Sequence, residues 1–269
     1  MTIEGTLGFL GFGNMGSALL EGIIKRGVID PAQAAVYEPD PERCAAAGKL
    51  GAAVTANAAE LAEISNTLLL AVKPQMMDTA LQEMQAGLHS EILYISIAAG
   101  ISIARLRESL GQDARIIRVM PNTPALVEAG AAGIAPGPGC SPRDIKTAKA
   151  IFHAVGSAEM VEEPDIDTVT ALSGSGPAYF FYLVECLIQA AMEEGLDEGV
   201  ATRLATQTFN GASKLLSTGG ESAGVLRARV TSKGGTTEAA LNAMKDNGFE
   251  DIVRAAVRAA AARSRALGA

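Results

Sequence analysis

The 269-residue chain has no tryptophan, and its aromatic residues amount to only 4%. Hydrophobic residues nevertheless make up 48%, with Ala and Gly abundant. That balance fits an α/β protein with tightly packed helices and excludes a disordered or fibrous chain. Histidine is nearly absent, with only His89 and His153, and the three cysteines, Cys44, Cys140 and Cys186, lie far apart with no CxxC pair. So few candidate ligands exclude a Cys/His zinc site, and no metal is expected. Free, packed thiols in a reducing cytosol are expected as well. The chain also lacks a basic run. Its net charge is −8 with acids spread throughout, which argues against a nucleic-acid partner. The start, Met1 to Thr6, has neither the basic residues nor the apolar run of a leader. The longest apolar stretch, Ala178 to Met192, is interrupted by Glu185 and Gln189 and reads as too short to span a bilayer. The expectation is a cytoplasmic protein with no membrane partner.

The first half alternates short apolar runs with helical stretches. Strands are expected at Thr6 to Gly11, Ala34 to Glu38, Leu68 to Val72, Ile92 to Ile97 and Ile116 to Val119. Between the first of them lie helical patterns at Asn14 to Arg26 and Pro41 to Lys49. Short buried runs separated by helices indicate βαβ units and a parallel sheet. Ala131 to Ala135 and Glu159 to Glu162 are candidates for added edge strands, with a helix at Asp144 to Phe152 between them. After Pro164 no strand pattern remains. Helices are expected at Asp165 to Gly195, kinked or broken at Pro177, and at Asp197 to Ser217, Gly235 to Asp246 and Glu250 to Ala266. The fold class is therefore an N-terminal Rossmann-type α/β domain, residues 1–164, followed by an all-helical domain, residues 165–269.

Gly11-Phe12-Gly13-Asn14-Met15-Gly16 is G-x-G-x-x-G, placed directly after the first strand and opening the first helix. In that context the pattern points to a dinucleotide. Gly11 permits the tight turn, Gly13 lets the backbone approach a pyrophosphate, and Gly16 allows close helix–strand packing. The helix start presents N–H groups and a favourable dipole to the phosphates. Glu38, at the end of the second strand, is positioned to accept from a ribose 2′-hydroxyl and to repel a 2′-phosphate.

Five further motifs follow in order: Ala71-Val72-Lys73-Pro74-Gln75, Ser96-Ile97-Ala98-Ala99-Gly100, Arg118-Val119-Met120-Pro121-Asn122-Thr123-Pro124, Ser173-Gly174-Ser175-Gly176-Pro177-Ala178-Tyr179 and Ser232-Lys233-Gly234-Gly235-Thr236-Thr237. With the glycine turn they make the chain resemble the pyrroline-5-carboxylate reductases from Leu7 to about Arg263. The resemblance implies NADPH, or NADH, as donor and L-1-pyrroline-5-carboxylate as substrate, reduced to L-proline. It implies a helical domain that dimerises with a second copy, and a ring of several dimers, up to a decamer of five. Carried over by motif, the cofactor touches Leu10, Gly11, Phe12, Gly13, Asn14 and Met15, then Asn57, Ala71, Val72, Lys73, Pro74, Ile97, Ala98 and Ala99. The substrate sits on Ser232, Gly234, Gly235, Thr236 and Thr237. Glu163 matches a carboxylate lining the same pocket, and Asn122 and Thr123 are expected near the nicotinamide.

The residues themselves suit that chemistry. Glycines of the Ser232 to Thr237 loop expose successive N–H groups ahead of a helix start, and both features favour an anion. The Thr237 hydroxyl is able to hydrogen-bond the imine nitrogen of the substrate. The alternative use of the loop is an ordinary helix cap by Ser232 or Thr236. One departure stands out: Lys233 occupies a place where the family usually has proline, which adds a charge and frees one backbone N–H.

Overall fold

The computed structural model describes residues 3–268; Met1 and Thr2, part of the N-terminal stretch read above for a leader, and Ala269 lie outside the described residues. Eight strands form one sheet: β1 (Leu7–Leu10), β2 (Ala34–Tyr37), β3 (Ala53–Val54), β4 (Thr67–Leu70), β5 (Leu93–Ser96), β6 (Arg115–Met120), β7 (Gly130–Pro136) and β8 (Gly156–Met160). Their spatial order is β3-β2-β1-β4-β5-β6-β7-β8, parallel except where β7 meets β6. Six helices accompany them: α1 (Asn14–Lys25), α2 (Pro41–Lys49), α3 (Ala58–Ile64), α4 (Met77–Glu83), α5 (Ile103–Leu110) and α6 (Pro142–His153).

The strands read as unbroken apolar runs because both faces of the sheet are covered. Alternate side chains go to opposite cores. Leu7, Phe9, Leu69, Ile95 and Ile117 enter one cluster, and Leu10, Leu68, Leu70, Tyr94 and Ile116 the other. All ten are at least 97% buried.

Two expectations about the sheet are corrected, and one strand was not expected. The two-residue β3 has no apolar run to announce it. The segment at Ala131 to Ala135 is not an edge, since β7 lies between β6 and β8. The last strand also starts earlier than Glu159, at Gly156. The reversal at β7 follows from a short link: only residues 121–129 join it to β6, too few for a crossover helix. Glu128 in that link takes a left-handed conformation (φ 57°). Its carboxylate accepts from Lys25 at the end of α1 and also faces Arg26, so its pKa is held below the usual carboxylate value.

The remaining helices are α7 (Ile166–Val169), α8 (Gly176–Glu193), α9 (Glu198–Thr218), α10 (Ala223–Arg229), α11 (Thr236–Asp246) and α12 (Phe249–Leu267). The break expected at Pro177 is present: residues Thr170–Gly174 form a wide helical turn between α7 and α8. Proline at position 177 removes the donor that would serve the Ser173 carbonyl in a regular helix. The Asn122 side-chain N–H₂ donates to that carbonyl instead, at 3.0 Å. The seven-residue α10, capped by Ser222, was not expected from the sequence.

Contacts divide the chain into two compact units, one holding residues up to 175 with those from 259 on, the other residues 176–258. Composition changes near residue 164, whereas the packing break falls at 175/176. Val169 fits against β7 where Gly133 has no side chain, and Ser264 Oγ donates to Asp167 Oδ1 at 2.6 Å.

In the second unit α8 and α9 pack together, with the Phe180 and Phe209 rings 5.5 Å apart. Among its described residues only Gly176 and Ala201 are buried, while Phe181, Tyr182, Leu204, Leu215 and Ile252 are all more than half exposed. Taken end to end, the helical stretch Glu163–Glu193 is 31 residues long and has a mean hydropathy of 1.2 over its most apolar window, enough by length and composition to cross a membrane. Ala178 to Met192 is too short by itself; the span gains its length from the helical turns that precede it, from Glu163 on.

Candidate functional site

Register places the candidate residues along one edge of the sheet. Leu10 is paired with Tyr37 and with Leu70, and Leu70 with Ser96. Gly11, Glu38, Ala71 and Ile97 are therefore each the first residue past the carboxyl end of one of four neighbouring strands. Chain order reverses at β1, between β2 and β4, and in open α/β sheets that is where ligands bind.

The three glycines of the turn do different things. Gly11 has φ 91°, and its N–H donates to the Tyr37 carbonyl at 2.9 Å. A Cβ there would lie 3.0–3.1 Å from Val72 and Ala71. At Gly16 a Cβ would lie 3.1 Å from the Gly11 carbonyl oxygen, so this glycine lets α1 sit tight against the turn. At Gly13 the protein itself imposes nothing. Its backbone (φ −77°, ψ −169°) suits any residue, and an added Cβ would meet only Arg43 Nη1, at 3.8 Å. Gly13 is also the N-cap of α1, with no side-chain cap and no acid in the first turn. An open cradle at an uncapped helix start fits a phosphate.

Around the turn, Leu10, Phe12 and Ala98 are buried, Met15, Ala71, Val72, Pro74, Ile97 and Ala99 are half-buried, and Asn14, Asn57 and Lys73 are exposed. Asn57 caps α3, its Oδ1 accepting from Glu60 N–H at 2.8 Å. The cap uses only the side-chain oxygen; the amide N–H₂ of Asn57 takes no part in it.

Glu38 is more deeply engaged than its sequence position suggests. Its side chain is only 9% exposed. Oε2 accepts from Phe12 N–H at 2.7 Å and Oε1 from Asp40 N–H at 3.2 Å. Arg43, on the first turn of α2, sits beside it with Nη1 3.8 Å from Oε2. Reading the sequence did not single out Arg43; the available signal was a lone base, six residues past the strand end, among Glu38, Asp40 and Glu42.

Glu163 Oε1 accepts from Ile103 N–H at the start of α5 (2.7 Å) and lies 3.6 Å from Arg118 Nη1. Arg118 is buried and also faces Asp167 at 3.7 Å. Asn122 is buried too, and uses its oxygen to accept from Ala131 N–H at 2.8 Å as well as its amide on Ser173. Thr123 beside it is exposed.

In the second unit, Ser232, Lys233, Gly234 and Thr236 are exposed, and Gly235 and Thr237 half-buried. Gly234 has φ 73°, and its N–H donates to Glu238 Oε2 at 2.7 Å. Gly235 is the N-cap of α11 and has no side-chain cap, so neither Ser232 nor Thr236 caps that helix. Glu238 was not anticipated: it is a carboxylate already seated on the loop expected to receive one. Among the described residues no cluster of three or more His, Cys, Asp or Glu could hold a metal.

An open glycine cradle at the switch point of a Rossmann sheet, joined to a helical unit, defines a dinucleotide-dependent oxidoreductase. Residues 6–100 match the family model of coenzyme F420-dependent NADP oxidoreductases, and residues 163–267 that of the pyrroline-5-carboxylate reductase dimerisation domain. The pyrroline-5-carboxylate reductase of Methanosarcina acetivorans is 42% identical over 97% of each chain. That of Coxiella burnetii superposes with a TM-score of 0.92 at 32% identity, covering 99% of this chain and 100% of the other. The Plasmodium falciparum enzyme, solved with NADP bound, gives 0.88 at 32% identity over 100% of both. The chain belongs to the pyrroline-5-carboxylate reductase family.

Proposed function

We propose that this chain reduces L-1-pyrroline-5-carboxylate to L-proline, the last step of proline biosynthesis, with NADPH or NADH as donor. The observation that carries the proposal is the open cradle at Gly13, in a chain matching reductases of this substrate over nearly its full length. A reduced nicotinamide dinucleotide with its pyrophosphate at Gly13 would supply the hydride for C5 of the protonated imine, whose C=N π pair would pass to nitrogen. The protein has little covalent work left; it aligns the reactants and holds the substrate carboxylate.

The cofactor is held by the turn Leu10 to Met15, by Asn57 and by the strand-end walls Ala71 to Pro74 and Ile97 to Ala99. Ser232, Gly234, Gly235 and Thr236 receive the carboxylate, Glu163 lines the pocket, and the Thr237 hydroxyl hydrogen-bonds the ring nitrogen. Glu238 must give way in this scheme, because its carboxylate occupies the Gly234 N–H that the substrate needs.

The division into a dinucleotide-binding part, residues 1–164, and a helical part, residues 165–269, belongs to the same proposal, and so does self-association. A helical unit with two buried residues is completed by a second copy, its exposed apolar side chains covered in a homodimer. Five dimers then close a decameric ring. A partner chain also accounts for the apolar face of Glu163–Glu193 without a membrane. The same reading places the protein in the cytoplasm, and its net charge of −8 argues against a nucleic-acid partner.

The test is the initial rate of NADPH and NADH oxidation with pyrroline-5-carboxylate as acceptor. Turnover of this imine, with none on hydroxyacids or ketopantoate, is expected. Tight cofactor binding with no oxidation would point instead to a nucleotide sensor.

A further inference from the structure

We infer that Arg43 is the residue that recognises the 2′-phosphate of NADPH, and that Glu38 acts chiefly as its carboxylate partner. The inference rests on the reading of the Gly11 to Gly16 turn as the cofactor site, and goes beyond it to the origin of cofactor choice.

Arg43 Nη1 lies 3.8 Å from the position a Gly13 Cβ would take and 3.8 Å from Glu38 Oε2. Its guanidinium thus spans the ground between the pyrophosphate cradle and the end of β2. A dinucleotide whose pyrophosphate sits at Gly13 carries its adenosine ribose to the end of β2, and so past Arg43. The side chain is half exposed, and its two acidic neighbours stand off: Glu38 at 3.8 Å and Asp40 Oδ2 at 3.6 Å from Nε, both beyond hydrogen-bond reach. A planar fork of donors held in place by two carboxylates, without being consumed by them, is suited to a bidentate phosphate.

Charge makes the same point. The segment from Glu38 to Glu42 carries three acids, Glu38, Asp40 and Glu42, and Arg43 is the only base between Arg26 and Lys49. A doubly charged 2′-phosphate set down here without Arg43 would meet negative charge alone. Glu38 meanwhile has little surface to offer a ribose hydroxyl. It is 9% exposed, and both its oxygens already accept from backbone N–H groups, of Phe12 and Asp40. The acid that sequence position marks as a ribose ligand thus accepts from the glycine turn and lies beside the arginine.

The test is equilibrium binding of NADPH and of NADH to the full chain, read from the fluorescence of the reduced nicotinamide, for the parent and for Arg43→Met, Arg43→Lys and Gly13→Val. Arg43→Met should weaken NADPH by roughly tenfold to a hundredfold, the range for one charge-assisted contact, and NADH less than about threefold. Arg43→Lys should fall between, since it keeps the charge and loses the fork. Equal weakening of both cofactors by Arg43→Met would overturn the assignment, because the guanidinium would then serve the shared pyrophosphate or the fold. Unchanged binding of both would overturn it too. With either result, loss of both cofactors in Gly13→Val would leave the turn standing as the cofactor site. Retention of both in Gly13→Val would overturn the turn itself, and the role of Arg43 with it.

Discussion

Replacing Gly13 by valine separates binding from folding, because the structure assigns this glycine no task in the fold. Its φ of −77° and ψ of −169° are open to valine, and the new Cβ would be in ordinary contact with Arg43 alone. The folding cost is that of a poorer helix N-cap, up to about 1 kcal/mol. Binding is different. The side chain would stand in the cradle and keep a pyrophosphate from the N–H groups of α1. Losing two charge-assisted hydrogen bonds at about 1.5–3 kcal/mol each amounts to about 3–6 kcal/mol, or on the order of a hundredfold to ten-thousandfold in affinity. Thermal denaturation and nicotinamide fluorescence titration, run on the same preparation, read the two quantities. Gly11→Ala is the opposite control: it places a side chain at φ 91°, 3.0–3.1 Å from Val72 and Ala71, and should lower the melting temperature first. A folded Gly13→Val protein binding NADPH and NADH like the parent would refute the reasoning.

Glu38→Ser should raise the ratio of kcat/KM for NADPH to that for NADH, by removing charge near the 2′-phosphate and freeing Arg43; it should also cost about 1–3 kcal/mol of stability, because Phe12 N–H loses its acceptor. An unchanged ratio would take Glu38 out of cofactor choice. Thr237→Ala should lower kcat/KM for the imine roughly fivefold, the effect of one neutral hydrogen bond of about 1 kcal/mol, with NADPH affinity intact; Thr237→Ser should retain most activity. Equal kinetics for Thr237→Ala and the parent would leave the loop acting through its backbone alone. Burial pushes the Tyr94 hydroxyl up to about 12. An unfolded tyrosine ionises near 10, so the folded form holds its proton more tightly. The resulting stability is complete below pH 10 and is lost as pH rises toward 12, about 2–3 kcal/mol in all. Tyr94→Phe should therefore lose less stability than the parent between pH 9.5 and 11.5 in denaturant titrations, and parallel losses would contradict this.

What could be read from the sequence followed from packing on both faces. Strands at Leu7–Leu10, Thr67–Leu70 and Leu93–Ser96 are apolar at every or nearly every position because both sides meet a core. Residues 53–54 are exposed and make a strand only because the edge of β2 is free to pair. The antiparallel course of β7 depends on the length of one link, which hydrophobic pattern does not encode. The break before Pro177 was legible from proline chemistry, but not its rescue by Asn122, fifty-one residues before Ser173. That same rescue explains why Asn122, expected by motif near the nicotinamide, has both side-chain polar atoms committed within the fold.

Charged residues were the least legible, and for one reason. A glycine or proline restricts its own backbone, so its spacing carries information by itself. A carboxylate or guanidinium acts through whatever lies opposite it. Glu38 was noticed because strand-end acids bind ribose, yet its bonds to Phe12 and Asp40 exist only once β1 and β2 lie side by side. Arg43 and Glu238 do not stand out in the sequence, although one lies beside Gly13 and the other accepts from Gly234 N–H. Both stand next to a glycine with open space where a side chain would be. Where sequence shows a Gly-rich turn, the charges within six residues of it, or of the strand end beside it, are therefore the ones to test against the ligand first.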